Sequence, residues 1–213
     1  MVRPLAWRVP ITGQKGPNER CIELPLAVAF MQLGQVSSVL DAGCALNHKI
    51  GGDLVTDITH VTLTLSNETQ IAHPHRHYAE ADFRDLSLFP DRSFDRVACI
   101  SSLEHVGCDN TRYDGPVEDA PETVRFAAKE LWRVTRGAIL FTVPFRLQPW
   151  RERAWRYFTP GTLEQILVPH AQVVFYRRAE DGLWGGPFDD PAETVFDDEP
   201  WRVPQIAAVY ACR

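Results

Sequence analysis

The sequence predicts an α/β sandwich, and three observations carry that reading. Short apolar runs alternate with amphipathic stretches, the first run breaks into a turn of small residues, and the chain closes on two β-branched runs too close for a crossover helix. At about 150 residues per domain, 213 residues make one domain with additions. Hydrophobic residues at 45% and charged residues at 23% exclude a disordered, collagen-like or coiled-coil chain.

The elements follow in order. Met1 to Asn18 carries Pro4, Pro10, Gly13, Gly16 and Pro17, which break both periodicities and predict an irregular arm over 1–18. The domain proper spans 19–213. From Glu19, Ile22, Leu26, Phe30 and Leu33 fall at helical spacing, with Pro25 as a kink or true start and Gly34 as a stop. Val36, Val39 and Leu40 lead into Asp41 and Gly43, a buried parallel strand entering a tight turn. His60 to Ser66 alternates as a second strand, and His77 to Phe83 reads as a third. Ser93 to Ser102 forms a fourth around Val97, Ala98, Cys99 and Ile100. Between Glu118 and Thr135, Val124, Ala127, Ala128, Leu131 and Val134 mark an amphipathic helix, ended by Arg136 and Gly137. Ala138 to Pro144 is a fifth strand, and Thr162 to Leu167 a short helix. Ala171 to Arg178 and Gln205 to Cys212 pair antiparallel as late strands. Between them, 179–203 is rich in Gly, Pro and Asp and reads as a lid, a contact loop or a solvated loop.

Charge and cysteine usage narrow the function. Lys+Arg 22 against Asp+Glu 28 leaves a net charge of −6, poorly suited to neutralising nucleic-acid phosphates. A small-molecule partner is favoured. The cysteines Cys21, Cys44, Cys99, Cys108 and Cys212 are scattered without CxxC spacing, which argues against a disulfide framework or zinc knuckle and fits a reducing cytoplasm. The opening MVRPLAWRVPITG lacks the apolar core of a secretory signal, and no apolar run reaches the ~18 residues of a membrane span. A cytoplasmic protein with no membrane or nucleic-acid partner is expected, and a homo-oligomer is compatible with the sequence.

The most informative stretch is VLDAGCALN. Open parallel sheets bind ligands beyond the C-terminal strand edge, where small residues let the backbone approach. Gly43 and Ala45 serve that need, and Asp41 at the strand tip either accepts from a ligand or caps the turn. With this turn come EADFRDLSLFPDRSFDRV, CISSLEHVG and ELWRVTRGAILFTVPF, in that order. Together these motifs resemble the class I S-adenosylmethionine-dependent methyltransferases over roughly residues 19–167. The resemblance extends to members found near glycan and natural-product genes.

That resemblance implies a Rossmann-like three-layer sandwich, with a mostly parallel seven-stranded sheet and an antiparallel last strand. It implies S-adenosylmethionine as cofactor and S-adenosylhomocysteine as product. Asp41, Ala42, Gly43, Cys44 and Ala45 would hold the amino-acid end of the cofactor. Asp82 would accept from the adenine amino group with Phe83 beside it, and Ser101 and Ser102 would lie near the sulfonium. The sequence departs from the family in placing Ala45 and Asn47 at the second and third glycines. LTLSNE offers Ser66, Asn67 and Glu68 at the tip of strand two, so Glu68 is either the ribose ligand or a solvated carboxylate.

Methyl transfer needs alignment and dryness, and a hydroxyl acceptor also needs a base. His105 suits that role, with Glu104 to orient it; the alternatives are a turn cap for His105 and a backbone partner for Glu104. Trp150, Arg151, Arg153, Trp155, Arg156 and Tyr157 follow strand five and suit a sugar ring or an anion, or else pack as a basic connection. His73, His75 and His77 alternate, but Pro74 interrupts them, calcium-loop spacing is absent, and no metal is expected. The sequence therefore predicts a methyltransferase acting on a sugar-like or natural-product oxygen. The competing reading is a catalytically silent binding or assembly module on the same fold.

Overall fold

The computed structural model describes residues 14–15, 18–32, 35–47, 57–149, 154–179, 181–194 and 205–213. Leu33, Gly34, Trp150, Arg151 and Arg153 lie outside the described residues, as does most of the 1–18 arm. The strands are β1 (Gln14–Lys15), β2 (Ser38–Ala42), β3 (Asp57–Thr62), β4 (Arg76–Glu80), β5 (Phe94–Ile100), β6 (Thr135–Pro144), β7 (Gln172–Arg178), β8 (Leu183–Phe188) and β9 (Gln205–Cys212). The helices are α1 (Arg20–Met31), α2 (Val124–Val134) and α3 (Pro160–Leu163). Among the described residues no helix is long and apolar enough to cross a membrane.

All strands join one sheet in the order β1-β8-β7-β9-β6-β5-β2-β3-β4. The pairs from β4 through β3, β2 and β5 to β6 are parallel. β9 runs antiparallel between β6 and β7, as expected for the last strand. Successive side chains of a central strand point to opposite faces. Leu40, Val97, Ile139 and Phe141 accordingly join the Val124, Ala127 and Leu131 face of α2 in one core. Val39, Ala98, Ile100 and Leu140 meet Ile22, Leu26 and Phe30 of α1 in the other. Helix, sheet and helix thus make the three layers, and both sheet faces are covered, as a parallel sheet requires.

Three expectations change. The second strand starts earlier and stops at Thr62, because the Thr64 hydroxyl accepts from the Ser66 amide (3.3 Å) and starts a 3₁₀ turn over Leu65–Asn67. The segment 179–203 is not wholly a loop: a turn at Ala179 and Gly182 folds Leu183–Phe188 back as β8 against β7. The 1–18 arm is not wholly irregular, since Gln14 and Lys15 pair with β8. β8 and β1 therefore extend the seven expected strands at one edge. GLWGGPF hid the strand because Gly and Pro are tolerated mainly near sheet edges.

Candidate active site

The C-terminal ends of β2 to β5 surround a cavity of about 320 Å³, inside the range of small-molecule sites, about 300–1,000 Å³. The turn after β2 supplies Gly43, β3 supplies Thr62, the chain after β4 supplies Asp82 and Phe83, and the chain after β5 supplies Ser101, Ser102 and His105. This is the edge where open parallel sheets place ligands. The segment after β5 folds over it, with Asn67 Nδ2 donating to the Tyr113 carbonyl (2.7 Å) and Arg84 bridging to Glu118 (2.6 and 2.8 Å).

Gly43 is required by geometry. Its φ is +101°, a conformation that favours glycine, and a Cβ there would collide with the Ser102 hydroxyl. The other residues of the turn, Ala42, Cys44 and Ala45, do not line the cavity. Asp41 does not line it either, a correction to its expected contact with the ligand. Its fully buried carboxylate accepts from the Leu46 amide (3.0 Å) and shares a 2.8 Å hydrogen bond with His60 Nδ1. Burial pushes the Asp41 carboxyl above the ordinary carboxylate range, against the pull of His60.

His60 faces Asp41 across the β2–β3 register and stacks on Tyr78 of β4 at 5.1 Å. The Tyr78 hydroxyl donates to Asn47 Oδ1 (2.8 Å), and Asn47 Nδ2 donates to Glu68 Oε1 and to the Thr69 carbonyl (3.0 Å). The third-glycine position is therefore a buried polar hub that braces the turn from below. Sequence reading missed His60 and Tyr78, whose only signal was their place on adjacent parallel strands. Glu68 does line the cavity, but it follows the 3₁₀ turn and is held by Asn47.

Asp82 lines the cavity in the grip of Arg84. Its Oδ1 accepts from the Arg84 backbone amide (2.8 Å) and Nε (2.9 Å), and Oδ2 from Nε (3.0 Å) and the terminal guanidinium nitrogen. Partial burial would raise the Asp82 carboxyl, but the Arg84 hydrogen bonds and charge outweigh it and hold it low. The carboxylate is ionised with its lone pairs engaged, so an adenine amino group would have to share them with Arg84.

Ser101 and Ser102 both line the cavity. The Ser101 hydroxyl donates to Glu23 Oε1, which also accepts from Thr142 (2.7 Å), while Glu23 Oε2 pairs with Arg20 (3.0 Å). The Ser102 hydroxyl donates to the Ile100 carbonyl (3.0 Å).

A second cavity of about 390 Å³ adjoins the first. Arg20, Ser101, His105 and Tyr113 belong to the walls of both. His105 Nδ1 lies 2.7 Å from the Ala154 carbonyl. A carbonyl can only accept, so Nδ1 carries the proton and Nε2 keeps its lone pair. Burial lowers the His105 pKa from its ordinary 6.5; the Ala154 hydrogen bond opposes this, and the charges of Arg20, Arg156 and Arg112 reinforce it. The ring is neutral at pH 7, flanked edge-on by Tyr113 (5.1 Å) and Trp155 (6.4 Å).

Two expected roles are corrected by these contacts. Glu104 does not orient His105, because Ala154 does; Glu104 is buried in the wall of the second cavity, with Oε2 unpartnered. Burial pushes its carboxyl up to about 8. Arg156 lines neither cavity: it is 6% exposed, and its guanidinium donates to the carbonyls of Glu104 (3.4 Å), Val106 and Pro121. It fastens the His105 loop to the chain before α2. Trp155 and Tyr157 of the expected substrate run do line the second cavity, together with Arg146, which sequence reading had not assigned.

No protein-family model matches the chain, and no curated protein is similar to it. Solved structures are similar over most of its length. A SAM-dependent methyltransferase from Archaeoglobus fulgidus is 15% identical, with 89% of this chain and 91% of that one covered and a TM-score of 0.60. The [4+2]-cyclase SpnF is 15% identical, covering 96% and 87%, with a TM-score of 0.59. The 1,6-didemethyltoxoflavin-N1-methyltransferase of Burkholderia thailandensis, solved with 1,6-didemethyltoxoflavin and S-adenosylhomocysteine, is 17% identical, covering 88% and 75%, with a TM-score of 0.51. The fold is that of the class I SAM-dependent methyltransferases. At such identities the likeness speaks for the fold alone.

Proposed function

We propose that this chain is a methyltransferase that uses S-adenosylmethionine to methylate an oxygen of a small sugar-like or natural-product acceptor. One observation carries the reading: a neutral histidine, its Nδ1 proton fixed on the Ala154 carbonyl, stands where two cavities meet. Bound in the first cavity, the cofactor would supply an electrophilic methyl group on a sulfonium. The chain fits that group at Gly43, where the absent Cβ leaves room beside Ser102.

Thr62 and Glu68 would face the ribose hydroxyls, and Asp82 with Phe83 the adenine. Ser101 and Ser102 would flank the reacting end. Asp41 and Asn47 act as positioning residues, holding the turn without touching the ligand. His105 Nε2 would take the proton of an acceptor hydroxyl, and Trp155 and Tyr157 would stack on the acceptor. The lowered pKa of His105 keeps the base free at neutral pH.

Calorimetry with S-adenosylhomocysteine tests the cofactor: saturable binding weakened by Asp82→Ala supports it. A methyl-transfer screen over hydroxylated and amino sugars then tests the reaction, and unchanged turnover in His105→Ala removes His105 from the role of base. The second reading is a silent binding or assembly module. The engagement of Glu68 by Asn47 and of Asp82 by Arg84 favours it, since both expected carboxylate ligands already have partners. Absence of S-adenosylhomocysteine binding would decide for that module.

A further inference from the structure

We propose that the edge strand β4 sets the ribose contact of the first cavity: Tyr78, acting through the Asn47 amide, is a positioning residue for Glu68, whose carboxylate reads the ribose hydroxyls. The proposal deepens the methyltransferase reading and rests on it for the identity of the ligand. Glu68 lines the cavity, whereas Asn47 and Tyr78 do not, so they act at one remove.

An amide side chain presents an acceptor at one end and donors at the other, and its partners decide which end is which. Arg76 Nη1 donates to the Asn47 backbone carbonyl (2.8 Å) and to Oδ1 (3.2 Å). A guanidinium can only donate, so the carbonyl end of the amide faces β4. The Tyr78 hydroxyl also donates to Oδ1 (2.8 Å), and its oxygen accepts from the Ile71 amide (2.9 Å). At the far end Nδ2 meets the Thr69 carbonyl (3.0 Å) and Glu68 Oε1, a carbonyl and a carboxylate that accept. One orientation satisfies every partner. Turned over, the buried amide would set oxygen against oxygen at Glu68 and nitrogen against the Arg76 guanidinium.

The sheet supplies the two donors together. Alternate residues of a strand share a face, and the parallel register sets Arg76 beside Ile58 and Tyr78 beside His60. Asn47, arriving from the turn after β2, meets both. A glycine at this position, as in the family motif that the turn resembles, would give β4 no side chain to hold.

Glu68 follows the 3₁₀ turn and belongs to no strand, so sheet hydrogen bonds do not fix it. Along the run from Ser66 to Ile71 it is nevertheless the only partly buried residue, and the others are exposed. Asn47 ties down Glu68 and Thr69, and Tyr78 ties down Ile71. A carboxylate has about four lone-pair sites, so the bond from Asn47 aims Glu68 without exhausting it. Without that aim the carboxylate turns toward solvent, and ordering it again opposes ribose binding.

The test is calorimetric titration of the intact chain with S-adenosylhomocysteine and with its 2′-deoxy and 3′-deoxy analogues. The readout is the preference for the ribose ligand over each analogue, because a brace that merely holds the fold would weaken all three ligands alike. The parent should prefer the ribose ligand to at least one analogue by about ten- to a hundredfold, as expected of a hydrogen bond to a charged group. Tyr78→Phe keeps the ring that stacks on His60, and Asn47→Asp keeps the acceptor for Arg76 and Tyr78 but turns an oxygen toward Glu68. Each should cut the preference to about threefold or less. Glu68→Ala should cut it as far, and adding Tyr78→Phe to Glu68→Ala should change it no further.

A parent that binds all three ligands equally overturns the proposal, as does a preference left intact in either folded variant, Tyr78→Phe or Asn47→Asp. Variants that lose affinity for all three ligands in equal proportion overturn it too, and leave the network a structural brace. In each of these cases S-adenosylhomocysteine still binds the parent and the methyltransferase reading stands. A parent that binds none of the three overturns that reading and the proposal with it.

Discussion

Replacing Glu104 with Gln isolates the energetic consequence of a buried carboxyl beside the candidate base. Burial pushes that carboxyl from an ordinary 4.5 up to about 8. Between those two values the folded chain holds a proton that the unfolded chain has released. Stability therefore falls as pH rises, by about 1.4 kcal/mol per pH unit. From pH 5 to pH 7 the loss is ~2.7 kcal/mol, roughly 5–11 °C in melting temperature for a chain of this size. Gln fills nearly the same volume and cannot ionise, so Glu104→Gln removes this slope and leaves a constant offset of about 1 kcal/mol for changed hydrogen bonding. Asp41 is also buried and pushed upward and contributes to both proteins alike; Glu23, likewise pushed upward, is coupled by its charge to Glu104 and modifies the slope without removing it. Thermal denaturation of both proteins across this range should show the variant gaining on the parent steadily as pH rises. A difference that stays flat from pH 5 to pH 7 would refute the burial argument, because it would mean that Glu104 ionises as it does in water.

The other predictions concern the turn, the base and the loop behind it. Gly43→Ala places a Cβ against the Ser102 hydroxyl at a φ of +101°, costing about 1–2 kcal/mol of stability; calorimetry should find S-adenosylhomocysteine binding weakened more than tenfold. His105→Gln should lower kcat by about 10²–10⁴-fold with little change in cofactor affinity. Because burial and three nearby arginines lower the His105 pKa, the acid limb of kcat/KM in the parent should have its midpoint below 6.5, and a midpoint above that value would exclude His105 as the base. Arg156→Met leaves the carbonyls of Glu104, Val106 and Pro121 without their donor, and chemical denaturation should register a loss of about 3 kcal/mol.

Much of the fold is legible in the chain because period and burial are local signals. The apolar run Val97 to Ile100 and the spacing Val124, Ala127, Leu131 had to be strand and helix, and they are. Gly43 was legible for the same reason, since a strand running into a small-residue turn admits few backbone paths. The antiparallel pairing of the last strand followed from the short distance between the two late runs. β8 was not legible, because a strand beside the sheet edge, paired on its outer side only at Leu183 and Trp184, tolerates the Gly and Pro that signal a loop elsewhere.

The roles of the charged residues depended on contacts that sequence spacing cannot give. Asp41 sits at the expected strand tip, yet the parallel register places His60 beside it and turns its carboxylate inward. Asp82 follows the expected strand, but Arg84 two residues on folds back onto it. Arg156 follows the fifth strand as a substrate arginine would, and backbone carbonyls from 104 to 121 capture it instead. The sequence by itself determined which segments are strands and helices and which edge of the sheet opens to a ligand, because those follow from periodicity along the chain. Only the tertiary structure decided which ionisable groups reach that opening, because a carboxylate or guanidinium settles on whichever partner the fold brings within hydrogen-bond reach.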